Sequence, residues 1–409
     1  MHLPSGTAGV RPPEGRPPQA RVLRHDALLV DSAAAVLAEA GWGGLTFAKV
    51  AAVMGMSGQP VRSRVRNRAE LATRVWQQRA AQPLIESLGG CLSGVQEALS
   101  SGRTDPVVQA WESFGLRRTS LEAAAELLIV AHYDPAVAEA VLADLRELLC
   151  PWITPGQGVD EATAARTAFA ICLGLGILLM SRHERAGTPG MRKALQSRAQ
   201  ALIAPSQPGQ LPDVTALHLI DYPELAAGDP ALDLLLNATL ELVGERGFDG
   251  VRVAEIARAA GFTEGLVYSR YAGKLELFQD AVKRQNEAGF EVNRAFTERL
   301  RAEHGLGMAE AVLMREYQLP SHRIPRLMAL EQIRLTWHSE ELMRQATLAI
   351  DEYRAGLLQD PAWQFEGEAD FFLDYAITLG VAVLPIISPE VYRLPYDVVT
   401  VPLFEMLGA

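Results

Sequence analysis

Cysteine is scarce, with Cys91, Cys150 and Cys172 the only three in 409 residues. They lie far apart, form no metal-ligand spacing and cannot all pair, so neither a disulfide framework nor a zinc site is expected, and a reducing cytoplasm is the natural setting. Long apolar runs are also missing. The longest uncharged stretch of the first half, residues 167–181, falls short of the roughly 18–20 residues that cross a bilayer, and it reads as a buried helix with no membrane partner. Few stretches alternate with a period of two and none is bounded by hairpin signals, which leaves an all-α chain. Enzyme signatures are lacking as well. Gly174-Leu175-Gly176 sits inside an apolar helical run rather than after a strand, and His183-Glu184 has no second histidine beside it. No catalytic residue, metal or other cofactor is therefore assigned.

Against these absences stands a duplication. Residues 41–71 return without a gap 206 residues later as residues 247–277, with ten of 31 positions identical. The same offset carries His132 onto His338, and Ile171-Cys172-Leu173-Gly174 onto Ile377-Thr378-Leu379-Gly380. A repeat of this length is domain-sized, so two domains laid end to end are expected. Charge is unequal between them. The net charge is −11, yet residues 41–80 hold seven basic side chains and one acidic, whereas residues 247–286 hold six and five. A basic patch of this kind on an acidic chain marks a local electrostatic footprint rather than a general affinity for polyanions.

Apolar residues recur at three and four spacing in each half, as in Val30, Ala34 and Leu37, and again in Leu236, Leu240 and Val243. Gly41 and Gly247 follow as helix-ending glycines. Short helices come next, near residues 46–54 and 252–260, each closed by a glycine (Gly55, Gly261) and followed by a capping residue (Ser57, Thr263) for a third helix. The order is helix, tight turn, helix. A fourth helix starts near Arg68 and near Lys274, and Thr46 offers a capping hydroxyl that Arg252 lacks.

Residues 247–277 resemble the DNA-binding domain of the TetR/AcrR family of bacterial transcriptional regulators. The resemblance rests on Gly247-Phe248, Ile256-Ala257, Ala260-Gly261-Phe262-Thr263, Gly265, Tyr268, Tyr271, Lys274 and Leu277. Residues 41–71 keep the register with several departures, among them Gln59 for a glycine, Arg62 for a tyrosine, Val65 for an aromatic and Arg68 for the lysine. The resemblance implies two tandem units, each a three-helix head followed by a helical ligand and dimerisation body. The expected divisions are a disordered basic arm at 1–24, carrying Arg11, Arg16, Arg21 and Arg24, then a first repeat at 25–204 with its head at 25–67 and body at 68–204. A linker follows at 205–230, with five prolines and a mid-linker cluster of Leu217, Leu219 and Ile220. The second repeat spans 231–409, with its head at 231–273 and body at 274–409. Family members pair through their last two helices. Here residues 161–182 with 190–203, and 368–387 with 396–407, are expected to pair inside one chain as a covalent pseudo-dimer.

The resemblance further implies a ligand-responsive regulator, most simply a repressor, acting on a double-stranded DNA operator. Thr46, Ser57, Gln59, Arg62, Arg64 and Arg68 in the first head, and Arg252, Thr263, Tyr268, Arg270 and Lys274 in the second, are the candidate DNA contacts. A small apolar or cationic effector is implied for the body. Its candidate lining is Trp337, Tyr353, Trp363, Phe371, Phe372 and Tyr375, residues that equally suit a plain core. The rival reading is a ligand- or protein-binding module of the same fold that no longer grips DNA. His132 and His338 read as structural hydrogen bonders.

Overall fold

The computed structural model describes residues 20–408 except 58, 155, 157, 210, 212, 215–223 and 358–366. The described residues contain helices and no strand. The first series runs α1 (Ala20–Gly44), α2 (Phe47–Val53), α3 (Gln59–Arg62) and α4 (Arg68–Val75), which passes through a π-helical turn at Trp76–Ala80 into α5 (Ala81–Ser101). It continues with α6 (Asp105–Phe114), α7 (Thr119–Val130), α8 (Pro135–Ile153), α9 (Glu161–Met180) and α10 (Met191–Ile203). The second series runs α11 (Pro230–Arg246), α12 (Val253–Ala259), α13 (Glu264–Tyr268), α14 (Lys274–His304), α15 (Leu306–Tyr317), α16 (Arg323–Thr336), α17 (Glu340–Leu357), α18 (Glu368–Ile387) and α19 (Asp397–Met406).

The first helix of each series buries one stripe, Leu29, Ala33 and Leu37 on α1 and Leu235, Leu236 and Val243 on α11. Both stripes stop at a glycine. Gly41 has φ 65 and Gly247 has φ 69, a region that residues with a Cβ enter only under strain. Space is also closed at these points: a Cβ on Gly41 would lie 2.6 Å from the His338 ring, and one on Gly247 would lie 2.3 Å from the Tyr133 ring. Each glycine is thus covered by the opposite half of the chain.

α9 and α18 cross at the centre. A Cβ on Gly176 would stand 1.7 Å from the Ala376 carbonyl oxygen, and one on Gly380 1.8 Å from that of Cys172. Such backbone-to-backbone approach needs glycine at both points. The two contacts interchange when the halves are exchanged, with Gly176 and Gly380 204 residues apart. That corrects the register read from sequence, which set Gly174 against Gly380. Gly174 instead lies under the Phe114 ring. The offset is 206 at the heads (Gly41, Gly247) and 205 at Tyr133 and His338, so it shortens by one residue twice along the chain.

α10 and α19 pack against this crossing, and a single apolar core runs through it, joining Phe169, Cys172 and Leu175 to Leu373, Leu379 and Val383. The second head keeps a cluster of its own, built on Leu236, Ile256, Val267, Leu277 and Phe278 and closed by Leu327 of α16. α9 and α18, at 20 residues and mean hydropathy 1.8 each, are long and apolar enough to cross a membrane, but 94% and 72% of their apolar windows are covered by the rest of the chain.

One boundary differs from expectation. α1 begins at Ala20, so Arg21 and Arg24 stand on its opening turns instead of in an arm. Arg11 and Arg16 lie outside the described residues. Parts of the connection are docked: the Gly209 N–H donates to Asp397, Val214 joins Phe296, Leu300 and Val312, and the Leu225 N–H donates to Asn237. Leu217, Leu219 and Ile220 lie outside the described residues.

Candidate nucleic-acid interface

In the first head the Thr46 hydroxyl accepts the Lys49 N–H at 3.2 Å and caps α2. Val61 and Val65 are buried and anchor the short α3 from beneath. Ser57, Gln59 and Arg62 are exposed at its outer side. The exposed Lys49 and Arg66 accompany them; Arg66 belongs to the run of arginines at 62, 64, 66 and 68 that the sequence places towards DNA, and Lys49 is the one that sequence reasoning did not single out.

In the second head Arg252 occupies the capping position of α12 but has no acceptor to offer. Glu255 takes over by reaching back to accept the Arg252 N–H at 2.9 Å, and its other oxygen holds Arg246. Thr263 has the extended backbone of a cap, but its hydroxyl makes no capping bond, contrary to the sequence expectation. Tyr268 is 56% exposed at the end of α13, with Arg258 exposed near it in sequence at the end of α12. Lys49, Arg62, Arg66, Arg252 and Arg258 take part in no ion pair among the described residues.

Four candidate cations are engaged by partners within their own head. Arg64 pairs with Asp26 at 2.9 Å, and Arg270, its counterpart 206 residues on, pairs with Asp229. Both aspartates lie at or near the start of their head's first helix, so these arginines brace a head internally. Arg68 stacks 4.0 Å from the Trp42 ring centroid and donates to the Trp42 carbonyl at 3.2 Å. Lys274 stacks 4.1 Å from the Phe248 centroid and donates to the carbonyls of Phe248 and Val251, each at 2.7 Å. Burial holds the Lys274 ammonium below its usual pKa range. The physical reason is local. The glycine turn after each first helix leaves carbonyls without a helical donor, and the cation opening the fourth helix supplies one.

Among the effector candidates, Phe371, Phe372 and Tyr375 line a small cavity with Met180, His183, Ile350 and Glu368. Both halves of the chain contribute to it. His183 meets the Thr347 hydroxyl at 3.2 Å, and burial raises the Tyr375 phenol to about 12, which keeps it neutral. Trp337 does not line it. Its indole N–H donates to the Leu179 carbonyl at 3.1 Å as part of the packing against α9. Trp363 and the Tyr353 side chain lie outside what is described.

Each half of the chain thus sets a head of helix, turn and helix on a helical body, and comparison with known families bears on the second head. No curated protein matches the chain. Residues 235–281, running from α11 into the first turns of α14, match the family model described as bacterial regulatory proteins, tetR family, which supports a DNA-binding transcription regulator of that family.

Proposed function

We propose that the chain regulates transcription as a single-chain pseudo-dimer that sets its two heads in adjacent major-groove turns, about 34–36 Å apart. The observation that carries this reading is the exchange-related crossing of α9 and α18, with Gly176 and Gly380 each against the other helix's backbone. It joins one family-matched head to a second head of the same helix order. Lys49, Arg62 and Arg66 would neutralise phosphates on one side, and Arg252, Arg258 and Tyr268 would meet them on the other. Because the outward side chains differ, the operator is asymmetric. An effector that forces open the small cavity between α9, α17 and α18 would favour a splayed state and lower operator affinity by its differential affinity for the two states, which is repression relieved by ligand.

Selection of bound sequences from a random duplex pool tests the proposal, with two dissimilar half-sites expected. Recovery of inverted identical halves would overturn the asymmetric reading. A second reading, a body of this fold without DNA affinity, is favoured by the net charge of −11 and by the engagement of Arg64, Arg68, Arg270 and Lys274 with partners inside the heads. Salt titration separates the two, since released counterions make true operator binding fall steeply with ionic strength. Absence of binding at low salt would favour the second reading.

A further inference from the structure

Beneath the heads, where the two halves meet, one guanidinium holds three carboxylates. Arg334, 1% exposed, lies 2.8 Å from Glu126, 2.8 Å from Glu331 and 2.9 Å from Asp249. Each glutamate in turn accepts the backbone N–H that follows a head's glycine: Glu126 takes that of Trp42, and Glu331 takes that of Phe248 at 3.0 Å. Either head therefore hangs from its own buried carboxylate, and both carboxylates are tied to one cation. Asp249 belongs to the second head itself.

Flanking contacts repeat the theme. Arg182 donates to the Ala38 carbonyl in the last turn of α1 before its break at Gly41 and, at 3.1 Å, to the Trp337 carbonyl of the other half. Arg323 donates to the Gly244 carbonyl in the last turn of α11 at 2.7 Å and to the His132 carbonyl of the other half at 3.1 Å. Ala38 and Gly244 are counterparts at the 206 offset. Each arginine meets the negative end of a helix dipole. His338 adds a contact of 3.3 Å to Glu126 and one of 3.0 Å to the Glu39 carbonyl.

We infer that Arg334 is a positioning residue that fixes the separation of the two heads, an inference resting on the two-headed reading above. The counterpart of Arg334 at the local offset of 205 is Ile129, which is fully buried. The carboxylate cluster therefore holds an arginine from the second half with no arginine opposite it from the first, as a pair of unlike halves allows. A planar fork with five donors can reach three carboxylates at once, and the three-donor ammonium of lysine cannot span them.

The test places nitroxide labels on Ser57→Cys and Thr263→Cys, exposed counterparts at the 206 offset, in the full chain carrying Cys150→Ala. Inter-label distances are read by pulsed dipolar spectroscopy. The parent is expected to give one narrow distribution, and Arg334→Lys one about twofold broader, as loss of a shared buried partner frees both heads. Glu331→Gln, which keeps an acceptor for Phe248 but weakens the pair, serves as a second variant if Arg334→Lys does not fold. Val107→Ala, a core truncation in α6, controls for instability and should stay narrow. A broad parent distribution, or variants as narrow as the parent, would overturn the inference. Failure of the unsubstituted, unlabelled chain to bind DNA would sink the proposed function while leaving these distances to decide the role of Arg334.

Discussion

A cation stacked on a ring and a cation held out to solvent answer to different measurements, and each head contains both. Lys274→Met removes two carbonyl bonds and the contact with Phe248, so it should cost on the order of 1–2 kcal/mol of stability in denaturant titration. Arg62→Ala, at an exposed and unpaired site, should leave stability within about 0.5 kcal/mol and weaken DNA binding instead. Equal stability losses would contradict this division. Sequence placed Arg68 and Lys274 correctly at the start of a helix but not in direction, because the carbonyls that claim them are freed only by the three-dimensional turn at Gly41 and Gly247. A partly buried acid adds a pH dependence. Glu310 Oε1 has no hydrogen-bond partner, and burial, aided by the Asp374 carboxylate, lifts this group to about 8. A folded pKa above the unfolded one contributes stability that is complete below about pH 4.5 and is lost as pH rises through about 8. Glu310→Gln should therefore be near neutral at about pH 4.5 and stabilise by on the order of 1 kcal/mol at about pH 8.5, the residue being partly exposed. A gain independent of pH would contradict that assignment.

Short elements depend on their ends. α12 has seven residues, and with Arg252 unable to cap it, the Glu255 carboxylate carries that task. Glu255→Ala should lower stability, as a lost cap does, whereas Arg252→Ala should cost little; reversed costs in urea titrations would refute the assignment. The pattern of helix, turn, helix and long helix was legible because glycines and periodic apolar residues report backbone geometry directly. The cap of α12 was not, since it depends on a side chain reaching backwards from three residues on. Lys49 escaped notice, and Arg66 was not told apart from Arg64, because exposure, not residue type, separates a free cation from a bracing one. Replacing Lys49, Arg62 and Arg66 together by Gln should reduce the slope of log affinity against log salt by up to about 3, at roughly 0.9 for each phosphate left without its cation. An unchanged slope would remove this surface from the interface.

At the scale of the whole chain the crossing of α9 and α18 decides the architecture. Gly176→Ala would drive a Cβ to 1.7 Å from a carbonyl oxygen, and neither helix can yield without moving its backbone. The melting temperature should fall by at least about 10 °C, the scale of a loss of several kcal/mol. Gly174→Ala meets only the edge of the Phe114 ring and should cost about 1–3 kcal/mol. The opposite order would restore the sequence register. That register was misread because two one-residue contractions between the heads and the crossing leave no trace in composition, and both candidate glycines stand in the same apolar run.

Arg334 among three carboxylates, with isoleucine at its counterpart, leaves the molecule without interchangeable ends. A symmetric dimer turned end for end on a duplex presents the same face and cannot tell upstream from downstream. Unequal halves joined in a fixed order give the protein a polarity, so a bound copy would point one way along its site.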